Sequence, residues 1–421
     1  MATKAQTTQS APASSVTSGK LDPLIASASK EVYSALNHIP ISTLLAHKRS
    51  RQTSTSLPLV SVKQDTPLRD VLKLMAEKHL LAVPVYVESE DLKQKKFTGI
   101  VSIMDVLAWT VFQKLFDDLE ALNTTAETGT QAKKFSDLDT EADVYFSTPV
   151  SNLVGYTAES SMSWTLHSTE PVSSLLQMIT TPPYHRMLIV DVDEAVKNVT
   201  FDDEDVPHGS DGCVVMVTQT DLLHFLFTYR DTISPQSLSI LLSSSIEKVE
   251  RYAQKNIRNL RNFDNDPNQL STLQGAGERA TRIITVPSTY TALAAFRIMY
   301  LHRVSAVAVV SPTTGQMVAN LSASDLRGIT ADMESLEALL LPVFEFLETK
   351  SRNRGVDAIK PDQLRSVTRD QVFEEAIKVL LESRIHRVWV EDEEEKPVGV
   401  LTMGDLLAYF VPVVEKSRDD E

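Results

Sequence analysis

The sequence predicts an α/β fold built from four copies of one β-α-β-β-α unit, and three observations predict it. First, a Ser or Thr is followed three residues later by Asp in four places: Ser102-Ile-Met-Asp105, Thr218-Gln-Thr-Asp221, Ser322-Ala-Ser-Asp325 and Thr402-Met-Gly-Asp405. Second, each box ends a β-rich apolar run and opens a stretch with helical spacing. Third, an amphipathic helical stripe and another apolar run precede each box. Self-similarity of this kind marks a repeated unit.

In chain order, residues 1–28 are small and polar without a period and read as a disordered tail. Residues 29–57 form a lead-in with a short helix expected near Glu31 to His47. Unit one spans 58–117, with a strand at Leu59 to Val62 and a turn at Asp65-Thr66-Pro67. Its helix stripe is Leu68, Val71, Leu72 and Met75, its later strands are Ala82 to Val87 and Phe97 to Ile103, and its last helix begins around Val106 and Leu107. A connector covers 118–159, and unit two covers 160–230. Unit two has the stripe Val172, Leu175, Leu176 and Ile179 and strands at Met187 to Val192 and Cys213 to Val217. Between those strands lies an acidic insert, 193–212, which contains Asp202-Asp-Glu-Asp205 and is expected to protrude as a solvated loop.

A linker over 231–281 follows, helical in character over 240–257 and rich in Asn, Asp, Gln and Gly from Asn262 to Gly277. Unit three, 282–331, carries the stripe Ala292, Ala295, Phe296 and Met299 and strands at Ala306 to Val310 and Met317 to Leu321, joined by Thr313-Thr-Gly-Gln316. After a connector over 332–362, unit four, 363–412, carries Phe373, Ala376, Ile377 and Leu380 and strands at Val388 to Val390 and Val398 to Leu401, joined by Glu393-Glu-Glu-Lys396. Residues 413–421 are a tail.

Bulk properties narrow the function. The chain has 421 residues, of which 42% are hydrophobic, enough for several packed units. A net charge of -15 argues against a broad nucleic-acid surface but permits a small anion held by a few local cations. Cys213 is the only cysteine, which suits a reducing compartment. No apolar run approaches the roughly 20 residues that cross a bilayer. The expected setting is a soluble protein of the cytoplasm, with the nucleus as the second compartment. Nine histidines with one cysteine show no metal-ligand spacing, and Gly is only 13 of 421, so a glycine-rich phosphate cradle is not expected. No residue constellation points to catalysis, and the expectation is a protein that is not an enzyme.

A β-α-β-β-α unit that is used in pairs and ends in Ser/Thr-x-x-Asp before its last helix resembles the cystathionine β-synthase (CBS) domain. Four of them resemble the γ regulatory subunit of AMP-activated protein kinase. The strings Tyr184-His-Arg-Met187, Leu301-His-Arg-Val-Ser-Ala-Val307 and Ile385-His-Arg-Val-Trp-Val390 are similar to the His-Arg segments of that subunit's second, third and fourth units. The resemblance covers roughly 58–412. It implies two Bateman modules, each a pair of units packed through their sheets, arranged like a disk. It also implies adenine nucleotides (AMP, ADP or ATP) as regulatory ligands without a cofactor, energy sensing, and a kinase catalytic subunit with its β scaffold as partners. Neither nucleic acid nor a membrane is an expected partner; self-association is left open.

The box has two readings. As a helix cap, the hydroxyl accepts from a backbone N–H and the acid reaches back to the cap. The resemblance adds ribose binding by Asp105, Asp221, Asp325 and Asp405, with Ser102, Thr218, Ser322 and Thr402 beside them; a carboxylate accepts from two hydroxyls at once. The related kinase subunit lacks this Asp in its second unit, so Asp221 implies a further site here. For phosphate, the resemblance nominates His185, Arg186, His302, Arg303, Ser305, His386 and Arg387, since a guanidinium fork matches phosphate oxygens. His or Arg at a helix C-terminus also satisfies free carbonyls, which is the structural reading of the same residues. In unit one the basic slot is Leu81, which weakens any phosphate site there. Asp65-Thr66, Ser168-Thr169, Ser288-Thr289 and Thr368 offer polar groups near a base or ribose, or simply start helices. The rival reading is a ligand-independent interaction scaffold, such as the four-CBS fungal inhibitor of type 2A phosphatases, in which the boxes only cap helices and the acidic insert docks a partner.

Overall fold

The computed structural model describes residues 22–51, 59–88, 95–126, 138–160, 165–181, 184–191, 200–201, 207–209, 214–252, 283–353 and 365–413. Cys213, the run Asp202 to Asp205 and the stretch Asn262 to Gly277 lie outside them. The expected α/β unit recurs four times. In each, a short first strand runs parallel to the second, and the second pairs antiparallel with the third. In unit one these are β1 (Val62–Lys63), β2 (Ala82–Glu88) and β3 (Lys95–Ser102). In unit two they are β4 (Thr165–His167), β5 (Arg186–Val190) and β8 (Val214–Thr218). Units three and four use β9 (Thr285–Pro287), β10 (Ala306–Val310) and β11 (Met317–Ser322), then β12 (Ser366–Val367), β13 (Arg387–Glu391) and β14 (Pro397–Thr402).

The central strands are apolar along their length because both faces are buried, and their alternation decides what each face meets. In unit one, Val83, Val85 and Val101 point into a helical core, whereas Ala82, Tyr86, Phe97 and Ile100 pack on Leu188 and Val214 of unit two. In units three and four, Val307, Val309, Val388 and Val390 enter helical cores, while Ala308 and Met317 meet Trp389. Trp389 also donates its indole N–H across the seam to Asn320 Oδ1 at 3.0 Å. Units one and two therefore pair through their sheets, and so do units three and four.

The helices join the other neighbours. One core gathers Leu72, Val106 and Leu107 of unit one with Phe296, Met299 and Leu326 of unit three. The other gathers Leu176, Leu222 and Phe225 of unit two with Phe373, Ile377 and Leu407 of unit four. Sheet contacts between 1–2 and 3–4, with helix contacts between 1–3 and 2–4, close the four units into a ring.

Three local expectations change. The lead-in is two helices, Pro23–Leu36 and Ile41–Ser50, divided at Pro40, whose ring cannot continue a helix. The first of them starts inside the stretch expected to be disordered, because Ile25, Ala28, Val32 and Leu36 bury one face against unit two's core. The insert does not simply protrude: β6 (Thr200–Phe201) and β7 (Pro207–Gly209) pair with each other, and β7 adds to the edge of unit one's sheet, with Lys95 opposite Gly209 and Lys96 opposite His208. An edge strand's open hydrogen bonds supply the reason.

Each unit is completed by an arm from elsewhere in the chain. The arms begin at Ile41, Val150, Ile246 and Val343. Their N–H groups donate to the carbonyls of Glu170, Thr66, Gln371 and Tyr290 at 2.8, 2.9, 2.9 and 2.7 Å. Each acceptor stands just ahead of its unit's first helix. The lead-in thus serves unit two and the helix over 246–252 serves unit four, while the connectors serve units one and three.

Candidate functional site

All four boxes form the full capping arrangement, hydroxyl to the third residue and carboxylate back to the cap. Ser102, Thr218, Ser322 and Thr402 each donate a backbone N–H to the box carboxylate, at 2.8, 3.0, 2.9 and 2.8 Å. In units one, two and four the box opens a helix; in unit three it opens only a short 3₁₀ turn, Ala323–Leu326. The structural role is therefore present everywhere. What distinguishes the clefts is the remaining surface of each carboxylate, and there the arms intervene.

In three of the four arms the residue seven after the first stands near a box: Lys48 in the arm of unit two, Thr157 in that of unit one and Lys350 in that of unit three. Thr157 donates its N–H at 2.9 Å and its hydroxyl at 2.7 Å to Asp105 Oδ1. Ser102 Oγ holds Oδ2 at 2.7 Å. Asp105 is fully buried (0% exposed), and loss of hydration raises its pKa while the hydroxyls of Ser102, Ser160 and Thr157 oppose the rise. Both oxygens of the Asp105 carboxylate are thus engaged from within the chain. Asp221 is covered differently: Lys48 Nζ sits 2.7 Å from its Oδ2 and donates to the Met216 carbonyl at 2.8 Å.

The C-terminal clefts are built otherwise. Lys350 donates to the backbone carbonyl of Arg327 at 2.8 Å, so it secures the turn after Asp325. Arg387 reaches from unit four into unit three, where its guanidinium donates to Ser305 Oγ at 2.9 Å and lies in the field of Asp325. Burial pulls the Arg387 pKa down to about 10 against the opposing pull of Asp325, so it stays charged at neutral pH. Beside Asp405, the arm of unit four brings Glu250, which lies against Gly399 where any Cβ would collide with its carboxylate. Burial and the nearby Asp405 raise the Glu250 pKa, and Arg369, at 3.2 Å, opposes this.

The strand register compares the basic slots. Ala82, Arg186, Ala306 and Arg387 each lie opposite their unit's box hydroxyl residue. The residues before them are Leu81, His185, Ser305 and His386. Units two and four thus carry His-Arg, and units one and three do not. Loss of hydration and then the charges of Arg387, Arg186 and Arg327, cations of three units, push His386 down to about 4, although its side chain keeps an exposed face. His302 and Arg303 are not brought to this slot. His302 ends the helix Ala292–His302, and Arg303 caps it with φ 53 in the left-handed region, as Arg384 does in unit four. Both side chains of the pair are exposed, and the helix-end reading accounts for them.

Sequence reasoning missed Thr157, Glu159, Lys48, Lys350 and Glu250, all on arms. Glu159 is 7% exposed and faces His185 and Arg186. The available signal was the recurrence of Pro40-Ile41, Pro149-Val150 and Pro342-Val343, echoed by Ser245-Ile246. Two small core voids, of about 10 Å³ or less, are lined by residues such as Val106 and Phe116 or Leu223 and Phe410, and neither borders a box Asp. Among the described residues no group of three His, Cys, Asp or Glu side chains is gathered to hold a metal, and no helix is long and apolar enough to cross a membrane.

Known proteins agree with this architecture. A family model for the CBS domain matches residues 54–111 and 358–412, in units one and four. The SNF1-related protein kinase regulatory subunit gamma-like PV42a of Arabidopsis thaliana is 22% identical over 315 residues, 75% of this chain and 75% of that protein. PV42b of the same plant, which bears the same description, is 22% identical over 410 residues, 89% of this chain and 95% of that protein. Among solved structures, MJ1225 of Methanocaldococcus jannaschii, offered as an archaeal homologue of the AMPK γ subunit, superposes with a TM-score of 0.52 at 14% identity, covering 86% of this chain and 98% of that one; this likeness is one of fold.

Proposed function

The chain is a CBS-domain protein that resembles the γ subunit of AMP-activated protein kinase, and on that premise we propose that it is a non-catalytic regulatory subunit that binds an adenine nucleotide in its C-terminal pair. The observation that carries this reading is the meeting of Arg387, Ser305 and Asp325 across the seam of units three and four. A charged fork suited to phosphate and a carboxylate suited to ribose hydroxyls then lie side by side, contributed by two units. A ligand held by both units favours one relative placement of them, and it shifts a partner only by binding the two placements unequally. The partner we propose is a kinase catalytic subunit of the SNF1/AMP-activated type with its β scaffold, as the descriptions of the plant relatives suggest, in the cytoplasm or nucleus.

Calorimetry with AMP, ADP and ATP tests the ligand. Saturable heat that Asp325→Ala weakens by about tenfold, about 1.4 kcal/mol, is the expected result. The absence of both heat and thermal shift with every adenine nucleotide would remove the sensing role. Affinity purification tests the partner: kinase catalytic and β subunits support the proposal, and a phosphatase catalytic subunit supports the scaffold reading. One observation favours that second reading in part, since Asp105 and Asp221 are already engaged by Thr157 and Lys48.

A further inference from the structure

Glu159 lies at the end of unit one's arm, outside every motif of the repeat. Its carboxylate accepts the backbone N–H of His185 at 3.2 Å, faces the imidazole Nδ1 of His185 at 3.4 Å and lies 3.6 Å from Nε of Arg186. One backbone N–H, one imidazole and one guanidinium are the kinds of donor that hold a phosphate oxygen cluster. Burial alone would raise the Glu159 pKa, yet Arg186 and His185 more than offset it and hold it at about 2. The guanidinium is not used up by this carboxylate: Nη1 of Arg186 is buried with no hydrogen-bond partner among the described residues. Two carboxylate oxygens leave over a donor that an anion with more oxygens would engage.

We propose that Glu159 fills, as an internal ligand, the anion position that the resemblance assigns to His185 and Arg186, so that the N-terminal pair admits a phosphoryl group only when Glu159 is displaced. The arm explains how the chain arrives there. Val154 packs where a Cβ on Gly99 would stand and the Ser160 carbonyl touches the same point, so this glycine lets the arm lie against β3. Thr157 then fastens to Asp105, and Glu159 follows two residues on. The same peptide closes both halves of the cleft, the ribose carboxylate with hydroxyl and N–H donors and the cations with an acid. The proposal rests on the nucleotide reading only for the identity of the natural anion.

Pyrophosphate titrated by calorimetry into the full chain provides the test. Glu159→Ala and Glu159→Gln should bind it about tenfold or more tighter than the unmodified chain, because an unpaired buried cation gains a partner. Glu159→Asp keeps the charge and should show no such gain. Each variant is first checked for a cooperative melt; Glu159→Gln, nearly the same size, carries the test if Glu159→Ala does not fold. Unchanged pyrophosphate affinity in the folded variants overturns the proposal, as does a gain that persists when Arg186→Ala is added. AMP titrated in parallel separates the two readings. A pyrophosphate gain without AMP binding removes the nucleotide and keeps the anion site, whereas AMP binding without the pyrophosphate gain does the reverse.

Discussion

The N-terminal and C-terminal pairs share one fold, one sheet-to-sheet seam and one set of capping boxes, yet they treat the seam in opposite ways. In the N-terminal pair the arm of unit one lays Thr157 on Asp105 and Glu159 on Arg186, and the lead-in lays Lys48 on Asp221. In the C-terminal pair the corresponding arm residue, Lys350, binds the main chain of Arg327, and Arg387 is directed at Ser305 and Asp325. The polar groups of the N-terminal seam are thus met by stretches of the chain itself, whereas those of the C-terminal seam face one another across the two units. At one arm position Thr157 and Lys48 reach the box carboxylate itself, whereas Lys350 reaches a main-chain carbonyl two residues beyond Asp325.

The comparison breaks most visibly at Asp105. Its carboxylate is buried and serves Ser102 and Thr157 through four donors. Asp105→Ala leaves those donors unpaired and removes a cap, which should cost about 3 kcal/mol or more. Asp325→Ala loses a cap and the carboxylate facing the half-exposed Arg387 guanidinium, a smaller loss of about 1–2 kcal/mol. Urea midpoints of the two variants measure the gap. Equal losses would mean that the boxes differ in name only and that the N-terminal seam is not self-filled.

Acid is the next lever. An ordinary glutamate titrates near 4.5, and Glu159 is held at about 2 in the fold. A depressed carboxylate adds stability that is fully present above pH 4.5 and is lost as pH falls from there through 2. The difference corresponds to about 3 kcal/mol. Melting temperature followed from pH 5 to pH 2.5 should therefore fall less steeply in Glu159→Gln than in the unmodified chain. Parallel curves would show that Glu159 is not held by the two cations.

Much of this was legible in the residues. The hydroxyl-to-acid spacing of Ser102 and Asp105 and its three counterparts carried the repeat. The alternation of strands such as Val83-Pro84-Val85 against Tyr86 carried the two buried faces. The register that separates Arg186 and Arg387 from Arg303 was also visible, since His302 and Arg303 lie a turn earlier than the other two pairs. The arms left only the recurrence of Pro40-Ile41, Pro149-Val150 and Pro342-Val343 as a trace, and the reason it is faint is physical. Ile41 meets Glu170, and Ile246 meets Gln371, through backbone hydrogen bonds that carry no side-chain signature. A connector whose side chains are Thr157 and Glu159 reads as solvated loop until the strand glycine Gly99 is seen to receive it. The strands inside the insert went unread for the same reason, because β7 joins a sheet edge in another unit through main-chain bonds.

Lys48 offers the smallest expected change and the sharpest view of the unit that differs from the related kinase subunit. Its ammonium and the Asp221 carboxylate are both mostly buried, at 15% and 13% side-chain exposure, with 2.7 Å between them. Lys48→Met keeps the aliphatic stem and its packing. It removes the ammonium, leaving Asp221 its capping bonds to Thr218. Because the carboxylate stays partly hydrated, the cost should be about 1 kcal/mol, well below that of Asp105→Ala. The informative measurement is ligand stoichiometry. If Lys48 closes a competent ribose position, Lys48→Met should raise the number of AMP bound per chain or improve a weak second phase. A stability loss with no change in AMP binding would mean that Asp221 is a helix cap alone, and that removing an arm residue from the N-terminal pair is not enough to make it behave like the C-terminal one.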